Sequence, residues 1–316
     1  MATVINIQDI KSILKDIDTV TAIEEGFIQY SNGNTIVPPV GELLFEEPKG
    51  EAHIKYGYIK NDDYYVIKIA SGFYDNPALG IPSSQGLMLL FNQKTGQTVA
   101  VLLDEGYLTD IRTAVAGTIV AKYFAPKNIT AIGIIGTGIQ ARLQLQYLQQ
   151  HTSCKTVWIW GRNMEKVQAY VSEMNKTYDF HIATDPAEVV KNCNLIITTT
   201  PATTPLLMAQ DVQPGTHITA VGSDTEDKQE LDSKLLKNAD IIIADSIPQS
   251  KTRGEIYQAR KTGAITDEKI IELGMAIQDI SLQRTNDNQI TIADLTGVAV
   301  QDIMIAKAVY INYIKK

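Results

Sequence analysis

The sequence predicts an α/β protein: a doubly wound parallel sheet joined to a second α/β domain whose sheet is largely antiparallel. Length is the first observation behind this. At 316 residues, and about 150 residues per domain, two domains are expected. The second is a series of short apolar runs separated by helical stretches from residue 129 onward, as in parallel strands buried on both faces. The third is period-two alternation between residues 53 and 103, as in strands with one covered face.

Residues 9–30 read as helical, with Ile10, Ile13, Leu14, Ile17, Ala22, Ile23 and Phe27 at spacings of three and four. Asn32-Gly33-Asn34 and Pro38-Pro39 break that pattern. Ile54, Tyr56 and Tyr58 begin a strand, Asn61-Asp62-Asp63 supplies a hairpin turn, and residues 64–70 return. Residues 86–91 and 98–103 form a second strand pair around residues 92–96. A helix is expected over 109–124, stopped by Pro126. Then come the apolar runs 129–135, 156–160, 195–199, 218–221 and 241–244, with a helix over 141–149. The chain ends in an apolar helical pattern over 298–314.

Hydrophobic residues make up 44% and charged residues 20% of the chain, which excludes a disordered or collagen-like protein. There are 28 basic and 36 acidic side chains, a formal charge of −8. Binding to nucleic acid is led by phosphate neutralisation, so no nucleic-acid partner is expected. No stretch reaches the roughly 18 apolar residues of a membrane helix and no basic, apolar leader pattern opens the chain, so a cytoplasmic protein without a membrane partner is expected. Cys154 and Cys193 have no metal-ligand spacing and read as small core residues. The four histidines, His53, His151, His181 and His217, form no ligand set either, so no metal is expected.

The strongest chemical signal is Gly136-Thr137-Gly138-Ile139-Gln140-Ala141, a Gly-x-Gly-x-x-Ala turn between an apolar strand and a helix. Gly136 permits the tight turn, Gly138 lets the backbone approach a pyrophosphate, and Ala141 lets the helix pack on the strand. The helix start offers free N–H groups to phosphate. Many NAD sites carry an acid about 20 residues on, bonding the ribose 2′-hydroxyl. Here the next strand ends Trp160-Gly161-Arg162-Asn163, without a carboxylate. Arg162 and Asn163 therefore point to NADPH, with NADH as the alternative. Arg162 could also be a solvated or adenine-stacking side chain.

Lys68 lies inside an apolar strand on the face of Val66 and Ala70, where a buried lysine has a lowered pKa and can hold a carboxylate or carry a proton. Lys55, one strand earlier, is a second candidate but reads more readily as a solvated residue on a strand face. Arg112 suits bidentate carboxylate recognition, or else pairs with Asp110 at a helix start. Asp224 follows a strand and is an acid/base candidate or a loop cap. Lys228, four residues on, could partner it or a phosphate.

Several segments together resemble the ornithine cyclodeaminase/mu-crystallin family. They are residues 80–86 (GIPSSQG), 108–114 (LTDIRTA), 136–141 (GTGIQA), 220–224 (AVGSD), 228–232 (KQELD) and 294–302 (DLTGVAVQD). The resemblance covers nearly the whole chain. It implies a homodimer in which 1–112, completed by 294–316, binds substrate and carries the dimer contact, while 113–293 is a Rossmann domain for the nicotinamide cofactor, with the substrate held over the nicotinamide. It makes Lys68 the lysine beside a small imino or amino acid, Arg112 its carboxylate anchor and Asp224 the acid/base aspartate. Ser83, Ser84 and Gly297 fall in segments lining the substrate. Thr199, Thr200, Val221 and Lys228 fall in segments lining the cofactor.

The family's activities share hydride exchange at the α-carbon of an amino or imino acid. The cyclodeaminases carry an additional arginine anchor where this chain has Pro38-Pro39-Val40-Gly41, and an acid at the ribose where it has Arg162. Both departures favour a reductase of a cyclic ketimine: Δ1-pyrroline-2-carboxylate to L-proline, or the six-membered analogue to L-pipecolate. Ornithine cyclodeaminase, an open-chain amino acid dehydrogenase and a non-catalytic binding protein are the alternatives.

Overall fold

The computed structural model describes residues 2–73 and 75–315; Met1, Tyr74 and Lys316 lie outside the described residues. The chain forms two compact units, Met1–Arg112 with Val298–Lys316, and Thr113–Gly297.

The first unit opens with β1 (Thr3–Asn6), α1 (Ile7–Leu14) and α2 (Thr19–Ser31). The single helix expected over 9–30 is thus two, because each has its own N-cap. Asn6 Oδ1 accepts from the Gln8 and Asp9 amides, and Asp18 Oδ1 from the Thr21 amide. Next come β2 (Thr35–Ile36), β3 (Gly41–Phe45), β4 (Gly50–Ile59), β5 (Tyr64–Phe73), β6 (Ser84–Asn92) and β7 (Thr98–Leu103). Asn61, at φ +64°, makes the turn between β4 and β5. The sheet order is β1-β7-β6-β5-β4-β2, with β3 also on β4. All pairs are antiparallel except β1 with β7. α3 (Tyr107–Phe124) then carries the chain into the second unit.

That unit runs β8 (Ile132–Ile135), α4 (Ile139–Leu148), β9 (Thr156–Trp160), α5 (Met164–Met174), β10 (Asp179–Ile182), α6 (Pro186–Asn192), β11 (Leu195–Thr198) and β12 (His217–Ala220). It continues through α7 (Ser233–Asn238), β13 (Ile241–Ala244), α8 (Ile247–Ser250), α9 (Gly254–Lys261), β14 (Ile270–Glu272), α10 (Leu273–Gln278) and β15 (Thr291–Asp294). The strands form one parallel sheet, ordered β10-β9-β8-β11-β12-β15-β13-β14. β8, β11, β12, β13 and β15 are buried throughout, which is why their apolar runs do not alternate. Strand order reverses between β8 and β11, the switch point where open α/β sheets bind ligands. β15 is a central strand absent from the sequence reading. Asp294 therefore belongs to the second unit, and the chain returns to the first at Val298 rather than 294.

α11 (Ala299–Tyr313) completes the first unit, packing on α2 and on β4, β5 and β6. The inner sheet face it covers includes Ile5, Val66, Met88, Leu90 and Leu102, all at most 1% exposed. Among the described residues no helix is long and apolar enough to cross a membrane.

Candidate functional site

In the second unit, the carboxyl ends of β8, β11 and β12 lie side by side because these strands are parallel neighbours. Gly136 follows β8 at φ +122°, a conformation that L side chains rarely adopt, and a Cβ there would lie 2.5 Å from Thr199 Oγ1. Gly138 is the N-cap of α4 with no capping side chain, and a Cβ on it would meet nothing within 4 Å. The helix begins at Ile139, two residues before the expected start. Arg142 Nη1 donates to the Thr137 and Gly138 carbonyls at 2.6 and 3.2 Å, while its Nε donates to Glu173. The turn's carbonyls are thus held from the helix side. The Gly136 amide is taken by the Trp160 carbonyl at 2.8 Å, so it is the Gly138 side of the turn and the α4 N-terminus that make the open, positively polarised cradle that a pyrophosphate fits.

Arg162 is exposed just beyond β9. Asn163 caps α5, its Oδ1 accepting from the Lys166 amide at 3.0 Å.

Glu230 organises the next two strand ends. Its Oε1 accepts from the Thr200 amide and hydroxyl at 2.6 and 2.7 Å. Its Oε2 accepts from Thr198 Oγ1 at 2.7 Å and the Gly222 amide at 2.9 Å. Burial pushes its carboxyl up to about 7, against the pull of those donors. Its own backbone is held by Glu255, which accepts from the Glu230 and Leu231 amides. Val221, buried, donates its amide to Thr198 O. Asp224 and Lys228, beyond β12, are ion-paired at 2.7 Å, with Asp224 the more exposed of the two. Gly297, at φ +79°, donates its amide to Asp245, and Thr296 donates to the other oxygen of that carboxylate. Glu230, Glu255, Asp245 and Arg142 had no role in the sequence reading. Their only signal was polar residues among apolar runs, because their partners lie far along the chain or on backbone.

In the first unit, β5 directs Lys68 into the interior, where it is 2% exposed. Its Nζ lies 3.6 Å from Asp302 Oδ2. Arg112, on α3, donates from Nε to Asp302 Oδ1 at 3.1 Å and from Nη1 to Gln301 Oε1 at 2.8 Å. Its partners are thus on α11, not the Asp110 considered above. Burial lowers Lys68 to about 8; Asp302 opposes this and Arg112 adds to it. Asp104 is also buried, and burial raises its carboxyl although Leu108 donates to it.

Lys55 corrects the sequence expectation. It is 6% exposed, directly opposite Lys68 in the β4–β5 ladder. Ser83 and Ser84 are half-buried at the start of β6, and the Ser83 carbonyl accepts from the Phe73 amide. Both cysteines are free thiols; Cys193 is buried, while Cys154 is only partly so. Burial pushes the Cys193 thiol up to about 12, leaving it an inert core residue. Among the described residues no three His, Cys, Asp or Glu side chains could hold a metal ion.

A fold of this kind, with a glycine turn at the switch point and an interior Lys–Asp–Arg cluster, defines a Rossmann-type dehydrogenase-like protein. The chain belongs to the ornithine cyclodeaminase/mu-crystallin family, whose model matches residues 1–316. It is 40% identical over 295 residues to an uncharacterized cyclodeaminase of Sinorhizobium fredii, covering 92% of this chain and 89% of that one. An archaeal alanine dehydrogenase dimer with bound NAD superposes with a TM-score of 0.89 at 33% identity, covering 99% and 96% of the two chains. The Δ1-pyrroline-2-carboxylate reductase of Thermococcus litoralis, in complex with NADH and L-proline, gives 0.92 at 25% identity, covering 99% and 98%. Members of the family are NAD(P)-dependent oxidoreductases.

Proposed function

We propose that this protein uses NAD(P)H to reduce the C=N bond of an α-imino acid, with Δ1-pyrroline-2-carboxylate, giving L-proline, as the leading cyclic substrate. The observation that carries this reading is the buried Lys68–Asp302–Arg112 cluster. Two cations share one carboxylate in the interior, and buried charge is retained only where it is compensated. A substrate carboxylate supplies the further negative charge. Arg112 anchors it through its planar donors. Lys68, with its pKa brought down to about 8, holds the carboxylate or delivers the proton that the imine nitrogen takes. Asp224 stabilises the iminium, and Ser83, Ser84 and Gly297 line the substrate.

Gly136 to Ala141 with Thr199, Thr200, Val221 and Lys228 would hold the nicotinamide cofactor, which would supply the hydride. Arg162 and the Asn163 amide favour NADPH, since β9 carries no carboxylate at its tip. Protein and substrate meet in solution as a homodimer and a small acid.

The test is loss of 340 nm absorbance with Δ1-pyrroline-2-carboxylate, comparing NADPH and NADH, beside an assay of ammonia release from ornithine with NAD+. Rapid NADPH oxidation without action on ornithine is expected. Ammonia and proline from ornithine, with little imine reduction, overturns the reading in favour of a cyclodeaminase. NADH bound tenfold more tightly than NADPH overturns the role of Arg162.

A further inference from the structure

Four carboxyl groups are buried together in the second unit: Glu230, Glu255, Asp245 and Asp294, each at most 1% exposed. Asp294 and Glu230 act on Glu255, and Asp245 and Glu230 act on Asp294. Like charges so placed take up protons rather than all stay ionised. The hydrogen bonds show which carboxyl works as a carboxylate. Asp294 Oδ2 accepts from the Ile256 amide, while its Oδ1 is buried with no hydrogen-bond partner among the described residues. A proton on that oxygen displaces no bond. Each oxygen of Glu230 instead receives one amide and one hydroxyl, both from Thr200 on Oε1, and from Gly222 and Thr198 on Oε2. A hydroxyl can turn and accept, but an amide cannot. A proton on either oxygen therefore sets an O–H against an N–H. The contact has no slack to absorb this, since a Cβ on Gly222 would lie 2.2 Å from Thr200 O and 2.6 Å from Glu230 Oε2. One proton on Glu230 thus loosens the ends of β11 and β12 from each other.

Those ends have a defined place in a dinucleotide site. The glycine turn after β8 suits the pyrophosphate, and the adenosine ribose belongs at the tip of the next strand, β9. β11 and β12 stand on the other side of β8, so their ends are left for the nicotinamide half. We infer that Glu230 is a positioning residue for the nicotinamide half of the cofactor and acts only as a carboxylate, so that acid loosens the grip on that half and spares the adenosine half. The inference rests on the dinucleotide-binding reading and not on the choice of imino acid. Burial brings the midpoint to about 7. The ionisable groups facing Glu230 are Glu255 on α9 and Asp294 at the end of β15. Residues 199–207, whose Leu206 and Leu207 amides donate to the Glu230 carbonyl, carry no charge. On its own loop Lys228 is paired with Asp224, whose carbonyl also accepts from Arg253 Nη1 at 3.4 Å.

The experiment titrates the full-length protein between about pH 6 and about pH 8, a unit either side of that midpoint. Two matched pairs are used, NADH against ADP-ribose and NADPH against 2′-phospho-ADP-ribose. Within each pair the ligands differ only by the nicotinamide. Kd is read for each, with the fluorescence of the bound dihydronicotinamide. The native protein should lose about tenfold of its preference for the nicotinamide-bearing ligand on going to the acid limit, as a binding-competent form titrating with that midpoint implies. In Thr198→Val the midpoint should rise by about one pH unit, because one hydrogen bond to the carboxylate is gone. In Glu230→Gln the preference should be low at every pH, with ADP-ribose bound as in the native protein. A native preference that does not change with pH overturns the inference. So does a pH dependence that survives Glu230→Gln, an unshifted midpoint in Thr198→Val, or a Glu230→Gln variant that loses ADP-ribose as much as NADH. In each of these cases binding by the native protein leaves the dinucleotide reading standing. A native protein that binds none of the four ligands overturns that reading and this inference with it.

Discussion

At the scale of single residues, Lys68 ties the site to pH. Its ammonium loses its proton near pH 8, against 10.5 for an ordinary lysine, chiefly because it is buried. Between those values the unfolded chain holds the proton that the folded one has lost. This group's contribution to stability therefore rises with pH across that window. Activity runs the other way: the protonated amine is the form that holds a carboxylate or gives a proton, so kcat/KM for imine reduction should fall above about pH 8. In Lys68→Arg, which stays charged, that alkaline limb should vanish from the pH profile even where the rate is lower. An unchanged limb would assign it to another group. Glu230 makes a different prediction. Its carboxylate accepts four hydrogen bonds at the ends of β11 and β12. Glu230→Gln turns one acceptor into a donor facing donors and should cost about 1–3 kcal/mol in denaturant unfolding. A cost below a few tenths would show that the bonds contribute little. The burial of Lys68 was legible in the sequence, because a lysine stands out inside an apolar strand. Asp302 was not, since it meets Arg112 from 190 positions away. Lys55 was misread, because its own strand does not reveal that α11 covers that face.

Among the elements, long buried runs were read correctly and short mixed ones were passed over. β8, β9, β11, β12 and β13 announce themselves as apolar blocks. β15, Thr-Ile-Ala-Asp, holds two apolar residues and two polar ones, and only its place between β12 and β13 makes it central. The split between α1 and α2 was missed because helical spacing persists across it, while the caps at Asn6 and Asp18 set the true starts. The glycine turn was fully legible, since strand, turn and helix adjoin in sequence. The contact between the ends of β11 and β12 was not, and it has its own test. A Cβ on Gly222 would fall 2.2 Å from Thr200 O and 2.4 Å from Thr200 N. Those are backbone atoms and cannot rotate aside, so Gly222→Ala must separate the two loops. A loss of about 1–3 kcal/mol is expected, as for overpacking, with Tm lower by several degrees. A Tm within one degree of native would mean that the loops move apart freely.

For the molecule as a whole, the outer face of the first unit's sheet is the surface on which a prediction about assembly rests. Register places Val4, Tyr56, Ile69 and Leu103 on the side opposite Lys55 and Lys68, and they are 58, 37, 36 and 43% exposed. Ile54, Ile67, Leu87, Leu89 and Val101 lie among them, half-buried. Monomers seldom leave so continuous an apolar face in water, because covering it gains about 25 cal/mol per Å². The occupant proposed is a second copy of the same face, meeting it across a two-fold axis as symmetric dimers do. A two-fold contact repeats each substitution on both sides, so one new charge per chain becomes a facing pair of like charges at its centre. Ile69→Lys, whose side chain points away from the Lys68 cluster, is therefore expected to convert dimer to monomer in sedimentation or light scattering at micromolar concentration. The far-ultraviolet circular dichroism should remain native. A native chain that sediments as a monomer at that concentration, or an Ile69→Lys dimer as tight as the native one, would place the contact elsewhere.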